Sequence, residues 1–231
     1  MNVSVCMAVH NGAEFIRSQL DSILSQLDED DELILSDDAS TDTTLDIVQS
    51  FNDKRIRILP SVKFNNPVLN FERSLANTRH EIIFLADQDD IWLNNKISVM
   101  KRELENCDLC VCDCRIVDKG LNEITPSFFQ LNNSKTGLVT NFIQNSFIGC
   151  CMAFHKKILL KALPFPKGIP MHDLWIGLIA EKYFTVKFIP QILVDHRRHD
   201  NNYSTTASGS RNSIFKKVIS RIKLAQLLIA H

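Results

Sequence analysis

The chain has 231 residues, 45% of them apolar and 23% charged, with a formal net charge of −1. That balance suits one large soluble α/β domain with a substantial core, and it excludes a polyelectrolyte partner such as nucleic acid. The charge is uneven: residues 211–231 carry five Lys or Arg and no acid, against 21 basic and 27 acidic side chains in residues 1–210.

Val3 to Val9 is nearly continuously apolar and reads as a buried strand, ended by the turn signal Asn11-Gly12. Phe15, Ile16, Leu20, Ile23, Leu24 and Leu27 recur at helical spacing. Glu32 to Ser36 is a second strand closed by Asp37-Asp38. Ser40 or Thr41 caps a helix carrying Leu45, Ile47, Val48 and Phe51. Ile56 to Leu59 is a short strand stopped by Pro60, and a helix over 70–77 leads to the strand Ile82 to Ala86. This alternation predicts a doubly wound, mainly parallel sheet, in which ligands bind beyond the carboxyl ends of the strands. After Trp92 a helix is expected to about Asn106, then a strand over Leu109 to Val117. Residues 119–141 read as an irregular flap. Phe147 to Phe154 reads as a strand, Lys156 to Ala162 as a short helix and His172 to Phe184 as a longer one. Val186–Ile189 and Ile192–Asp195 read as two strands, Asp200 to Arg211 as a polar loop and Ser213 to Ile229 as a basic amphipathic helix. The expected organisation is one domain over 1–210, with residues 211–231 as a helical appendage.

Asp87-Gln88-Asp89-Asp90 follows a buried strand, where three carboxylates repel one another and are costly to desolvate. A hard cation such as Mg²⁺ or Mn²⁺, shared with substrate phosphates, relieves that cost. A solvated acidic turn or a helix N-terminus accounts for the same residues. His10-Asn11-Gly12 and Asp37-Asp38 fall at the ends of two other strands, so three polar clusters converge on one sheet edge.

Ser36-Asp37-Asp38-Ala39-Ser40-Thr41-Asp42 resembles the VDDGSTD segment of family 2 glycosyltransferases with the GT-A fold. Ala8-Val9-His10-Asn11-Gly12 resembles their opening segment, and Leu85 to Trp92 their LDxDDxW metal motif. Asn145 to Phe154, His172-Asp173-Leu174-Trp175 and Arg197 to Asn202 are similar to the NxxxGCxMxF, HDWW and RQHGxN motifs of the rhamnosyltransferase-like branch. The resemblance implies an inverting, metal-dependent transfer of a sugar such as rhamnose, glucose or galactose. It implies a UDP- or dTDP-sugar donor, bound by a nucleotide-sugar half over 1–118. It also implies a glycan or lipid-linked oligosaccharide acceptor in bacterial O-antigen or capsule assembly, bound by an acceptor half over 119–210. By the same comparison Val9, Asn11, Asp37, Asp38, Asp87, Gln88, Arg197 and Arg198 hold the nucleotide sugar. Asp38 accepts from the base, and the arginines serve the diphosphate. Asp89, with Asp87, Asp90 and His199, holds Mn²⁺ or Mg²⁺. Asp173 is the general base, while Gly149, Cys150, His172 and Trp175 face the acceptor. Asp195 is expected to pair with a neighbouring cation of the 197–199 run. Ala39, where the family has Gly, makes a positive φ there less expected.

Cys107, Cys110, Cys112 and Cys114 have a zinc-like start, but strand alternation favours small buried hydrophobes. No signal segment or 18-residue apolar run is seen, so the expected site is cytoplasmic, with thiols reduced. The basic helix makes peripheral contact with an anionic inner membrane face, or docks on the domain. The rival readings are a metal-dependent sugar nucleotidyltransferase, weakened by the lack of an early phosphate cradle, and a catalytically idle glycan- or nucleotide-binding relative.

Overall fold

A computed structural model describes residues 1–199 and 214–231, with backbone only for 214–220. The polar loop expected at Asp200 to Arg211 lies outside the described residues. So do Asp200, Asn201 and Asn202 of the last motif, and the side chains of Lys216 and Lys217.

In chain order the elements are β1 (Val3–Val9), α1 (Ile16–Leu24), β2 (Glu32–Asp37), α2 (Thr44–Ser50), β3 (Ile56–Ile58), α3 (Pro67–Ala76), β4 (Ile82–Ala86), β5 (Ile91–Trp92), α4 (Lys96–Glu103), β6 (Leu109–Val117), β7 (Glu123–Thr125), α5 (Phe128–Asn132), α6 (Leu138–Ile143), β8 (Met152–His155), α7 (Leu159–Ala162), α8 (His172–Tyr183), β9 (Val186–Arg197) and α9 (Ile214–Ala230). They build one sheet in the order β3-β2-β1-β4-β8-β6-β9-β5, with β7 on the side of β6. The first four strands are parallel, as the alternating sequence predicts. β8 then runs antiparallel to both β4 and β6, β9 is parallel to β6, and β5 is antiparallel to β9. The sheet is therefore mixed beyond β4.

The apolar runs of β1 and β4 are buried on both faces, as central strands of a parallel sheet require. Ile16, Leu20, Ile23 and Leu24 of α1 form the stripe that covers the sheet. Asn66 accepts from the Val68 amide and Pro67 sits at the first position of α3, so that helix starts where propensity dictates. Val9 pairs with Asp37 and Met7 with Ala86. That register brings the polar ends of β1, β2 and β4 level at one edge.

Several sequence expectations are corrected. The two strands expected between Val186 and Asp195 are one. Pro190 and Gln191 bulge out where the pairing with β6 shifts between Cys112 and Asp113, because proline has no amide to give the ladder. Phe147 to Phe154 is not a continuous strand: a 3₁₀ turn at Gly149–Cys151 precedes β8. The irregular flap holds β7, α5 and α6, with Ser127 capping α5. The helix after Trp92 ends at Glu103, short of Asn106. All seven cysteines are buried free thiols, among them Cys110, Cys112 and Cys114, for which strand alternation predicts small buried hydrophobes.

In α9, Leu224 and Leu228 are buried, while Ile222 and Ile229 are exposed. Lys182 Nζ donates to the Leu228 carbonyl at 2.6 Å, so the described end of the helix docks on the domain.

At Gly177 of α8 a Cβ would lie 2.3 Å from the buried Phe147 ring. Alanine gains about 1 kcal/mol of helix propensity there, but overpacking a fixed core costs about 1–3 kcal/mol. Gly177→Ala is expected to lower Tm by several degrees in a thermal melt. An unchanged Tm would show that Phe147 can move aside.

Candidate active site

The ends of β1, β2 and β4 open into a cavity of about 420 Å³. Val9, His10, Asp38, Asp87, Gln88 and Asp89 line it near those strand ends. Ile148, Gly149, His172, Asp173, His196 and Arg198 line it as well. The cleft is tied together through its backbone. The Gln88 amide accepts from the His10 N–H at 2.9 Å and donates to the His10 carbonyl at 3.0 Å. Asn70 donates to the Val9 carbonyl at 3.2 Å.

Asp37 lies outside the cavity and accepts from the Ser40 amide and the Ser61 hydroxyl, the latter at 2.6 Å. Asp38 accepts the amides of Phe64, Asn65 and Asn66 at 2.6, 2.8 and 3.0 Å. Burial raises the Asp38 carboxyl, but these three N–H groups outweigh it and hold it below the usual range. Ala39 between Asp38 and Ser40 has φ 53°, against the sequence expectation. The left-handed conformation costs about 1–2 kcal/mol for a residue with a Cβ. It is imposed from both sides: Asp37 binds the Ser40 amide, and Ser40 Oγ accepts from the Asn11 amide at 2.9 Å. Asn11 does not line the cavity; its Oδ1 accepts from the Thr41 amide at 2.8 Å and stitches the two loops.

The three carboxylates after β4 divide. Burial, then Asp90 and Asp89, push Asp87 well above the carboxylate range. Burial and Asp90 also raise Asp89, whose Oδ2 lies 2.8 Å from His199 Nε2. Asp90 is completely buried and behaves oppositely. Burial raises it, but His196, with Nδ1 at 3.0 Å, and the Arg197 amide at 2.9 Å hold it down. Asp90 and His196 form a buried ion pair. Asp87 and Asp89 are left with mutual repulsion that a divalent cation would relieve, so oxygen donors that fit Mg²⁺ or Mn²⁺ are present. Asp90, Cys150 and His196 also bring ligand-type atoms within 4.8 Å of one another. A thiol is a poor ligand for a hard cation, which favours the Asp87–Asp89 pair.

Strand alternation sorts the segment that follows. Arg197 does not line the cavity. It donates to the carbonyls of Asp89 and Lys119, both at 2.7 Å, and is buried, so it braces the metal-motif loop, and Arg198 is the arginine of the cleft. Asp195 pairs not with its neighbours but with Arg115, its register partner on β6, at 2.5 and 2.8 Å.

Asp173 stands in the first turn of α8 and accepts from the Gly149 amide at 3.2 Å and from the Leu174 amide at 2.6 Å. Burial pushes it up to about 6 despite those bonds. His172 is buried, stacked on Phe71 with centroids 3.8 Å apart, and neither ring nitrogen has a hydrogen-bond partner among the described residues. Burial lowers it to about 3, so the ring is neutral. Trp175 and Cys150 do not line the cavity. Trp175 is wholly buried and donates to the Ala162 carbonyl at 3.0 Å; Cys150 Sγ lies 3.7 Å from His196 Nδ1. His196, Asn70 and Phe71 are cleft residues that sequence reasoning missed. His196 stands one position before the recognisable motif.

A parallel half-sheet with polar strand ends, joined to a mixed half that carries Asp173, is the GT-A α/β fold. The chain aligns with the Staphylococcus aureus TarS fragment 1-349 in complex with UDP-GlcNAc at TM-score 0.77 and 16% identity, over 99% of this chain and 66% of that one. It aligns with the mannosyltransferase PcManGT of Pyrobaculum calidifontis, in complex with GDP-Man and Mn²⁺, at TM-score 0.69 and 18% identity, over 87% and 58%. The Glycosyl transferase family 2 profile matches residues 4–163, and the chain belongs to that family. It is 43% identical over 98 residues to the dTDP-rhamnosyl transferase RfbG of Shigella flexneri, covering 39% of this chain and 34% of RfbG. It is 27% identical over 185 residues to the Escherichia coli glucosyltransferase WfgD, which uses UDP-Glc and a GlcNAc-diphosphoundecaprenol, covering 78% and 70%. The chain thus spans about a third of RfbG's length.

Proposed function

We propose that the protein transfers a sugar, with inversion, from a UDP- or dTDP-sugar to a lipid-linked glycan of a bacterial surface polysaccharide. The observation that carries this reading is one cavity lined together by Asp38, Asp87, Asp89, Arg198 and Asp173. Asp38, held ionised by three amides, accepts from the base N3–H. Arg198 faces the diphosphate, and its planar donors suit phosphate oxygens. Asp89 and Asp87 would hold Mn²⁺ or Mg²⁺, with His199 behind Asp89. When bound, such a cation neutralises the charge that develops on the leaving diphosphate. Asp173 takes the proton of the acceptor hydroxyl as that oxygen attacks the anomeric carbon. Its carboxyl value of about 6 leaves it ionised at neutral pH and basic enough to accept. Neutral His172 offers the acceptor an uncommitted ring nitrogen.

Calorimetric titration of UDP, dTDP and GDP, each with and without Mn²⁺, tests the donor site. Tight Mn²⁺-dependent binding of UDP or dTDP is expected; preference for GDP, or no metal dependence, would reject it. Peripheral membrane contact is part of the proposal, supported by exposed Ile222 and Ile229 on the basic helix α9. Replacing both by Ser is expected to lower co-sedimentation with anionic vesicles without changing Tm. Equal sedimentation would remove the helix from that role.

A further inference from the structure

Lys96 is the first residue of α4 and is completely buried. Three general effects oppose a lysine there. Positive charge is unfavourable at a helix N-terminus. An ammonium taken out of water is costly unless it is well paired. Fixing its long side chain loses rotamer freedom. Its partners are a carbonyl and an aromatic face. Nζ donates to the Cys150 carbonyl at 2.5 Å and lies 3.7 Å from the centre of the Trp92 ring.

These two partners belong to different halves of the site. Trp92 is in β5, two residues beyond Asp90 in the metal-motif segment. Cys150 is the middle residue of the 3₁₀ turn Gly149–Cys151, closed by the Cys151 amide on the Ile148 carbonyl at 3.0 Å. The residue before it, Gly149, presents its N–H to Asp173. The turn has little slack: a Cβ on Gly149 would lie 3.1 Å from His172 Nε2 and 3.6 Å from Asp173 Cβ. A shift of the Cys150 carbonyl is therefore passed to the amide that aims Asp173.

We propose that Lys96 is a positioning residue that straps the metal-motif segment to the turn aligning Asp173, so that donor and base stay in register. The inference rests on the reading of Asp173 as base. The nucleotide-contacting groups hang elsewhere: Asp38 on the 64–66 loop and Gln88 on His10. Loss of the strap should therefore spare donor binding and impair turnover, because small misplacements of reacting groups are expensive.

The test is Lys96→Met, which keeps the bulk of the stem and removes the ammonium. Mn²⁺-dependent nucleotide binding is expected to stay within about twofold while kcat falls on the order of 10–100-fold. Trp92→Phe, which keeps an aromatic ring but weakens the cation–π face, should show the same split to a smaller degree. Unchanged kcat in Lys96→Met overturns the strap. So does parallel loss of nucleotide binding and transfer, which would make Lys96 a general packing residue. Asp173→Asn run alongside separates the two ideas. If that variant keeps full transfer, the base reading fails and takes the strap's purpose with it. If it is inactive while Lys96→Met is fully active, only the strap fails.

Discussion

Replacing Asp173 by Asn is expected to lower kcat by about 10²–10⁴-fold, the usual range for a lost general base, and at the same time to make the protein more stable at neutral pH. Both effects come from burial. Burial pushes the native carboxyl up to about 6, from an ordinary value of 3.8. Between those values the native state binds more of the proton than the unfolded chain does. Stability therefore declines as pH rises through that window, and the full penalty is present above it. Two pKa units correspond to about 3 kcal/mol. Asparagine removes that penalty but meets the Gly149 and Leu174 amides with one acceptor oxygen instead of two, which returns about 1 kcal/mol. A net gain of about 2 kcal/mol should raise Tm by several degrees at pH 7.5. The gain should vanish below pH 4, where wild-type Asp173 is protonated in both states. In the wild type, kcat/KM should fall on the acid side of about pH 6. A variant that keeps its activity, or an acid limb that stays put in the variant, would remove Asp173 from proton transfer.

Asp89 and Asp90 are adjacent acids with opposite expected phenotypes. Asp89→Asn should leave the fold intact, since Asp89 is already raised by its neighbours and its loss relieves repulsion. Mn²⁺-dependent nucleotide affinity should fall by about 100-fold or more, because the principal charged ligand is gone. Asp90→Asn removes the carboxylate that keeps His196 protonated against burial, so the ring must lose its proton or stay buried with an unpaired charge. Breaking such a pair costs about 3–5 kcal/mol, so this variant should lose stability first and metal response only as a consequence. Thermal melts and metal titrations on the two proteins separate the cases. The opposite pattern, with Asp90→Asn stable but blind to metal, would make Asp90 the ligand.

The donor half was legible from local signals. The apolar runs of β1 and β4, the helical stripe of α1 and the acids at the strand ends all point to one edge, and the structure puts them there. The acceptor half was less legible because strand direction there depends on partners far apart in the chain. β8 pairs with β4 and β6, and nothing in its four residues announces an antiparallel insertion. The turn at Gly149–Cys151 is hidden inside an apolar run. Ala39 shows tertiary hydrogen bonds overriding a backbone preference. Arg197 and Asp195 were grouped with their chain neighbours, whereas the pleat and cross-strand register give them other partners. Trp175 was read as an acceptor contact from its motif but packs in the core. Nothing in the sequence distinguishes Lys96 within the helix expected after Trp92; only its burial marks it out.

The most direct measurement is a donor screen: UDP- and dTDP-sugars incubated with the protein, Mn²⁺ and a lipid-diphosphate-linked glycan, read by nucleoside diphosphate release and by the anomeric configuration of the product. At least one donor should be consumed, with an inverted anomeric centre, abolished by chelator and restored by Mn²⁺. A product of retained configuration, or turnover indifferent to chelator, would contradict the account.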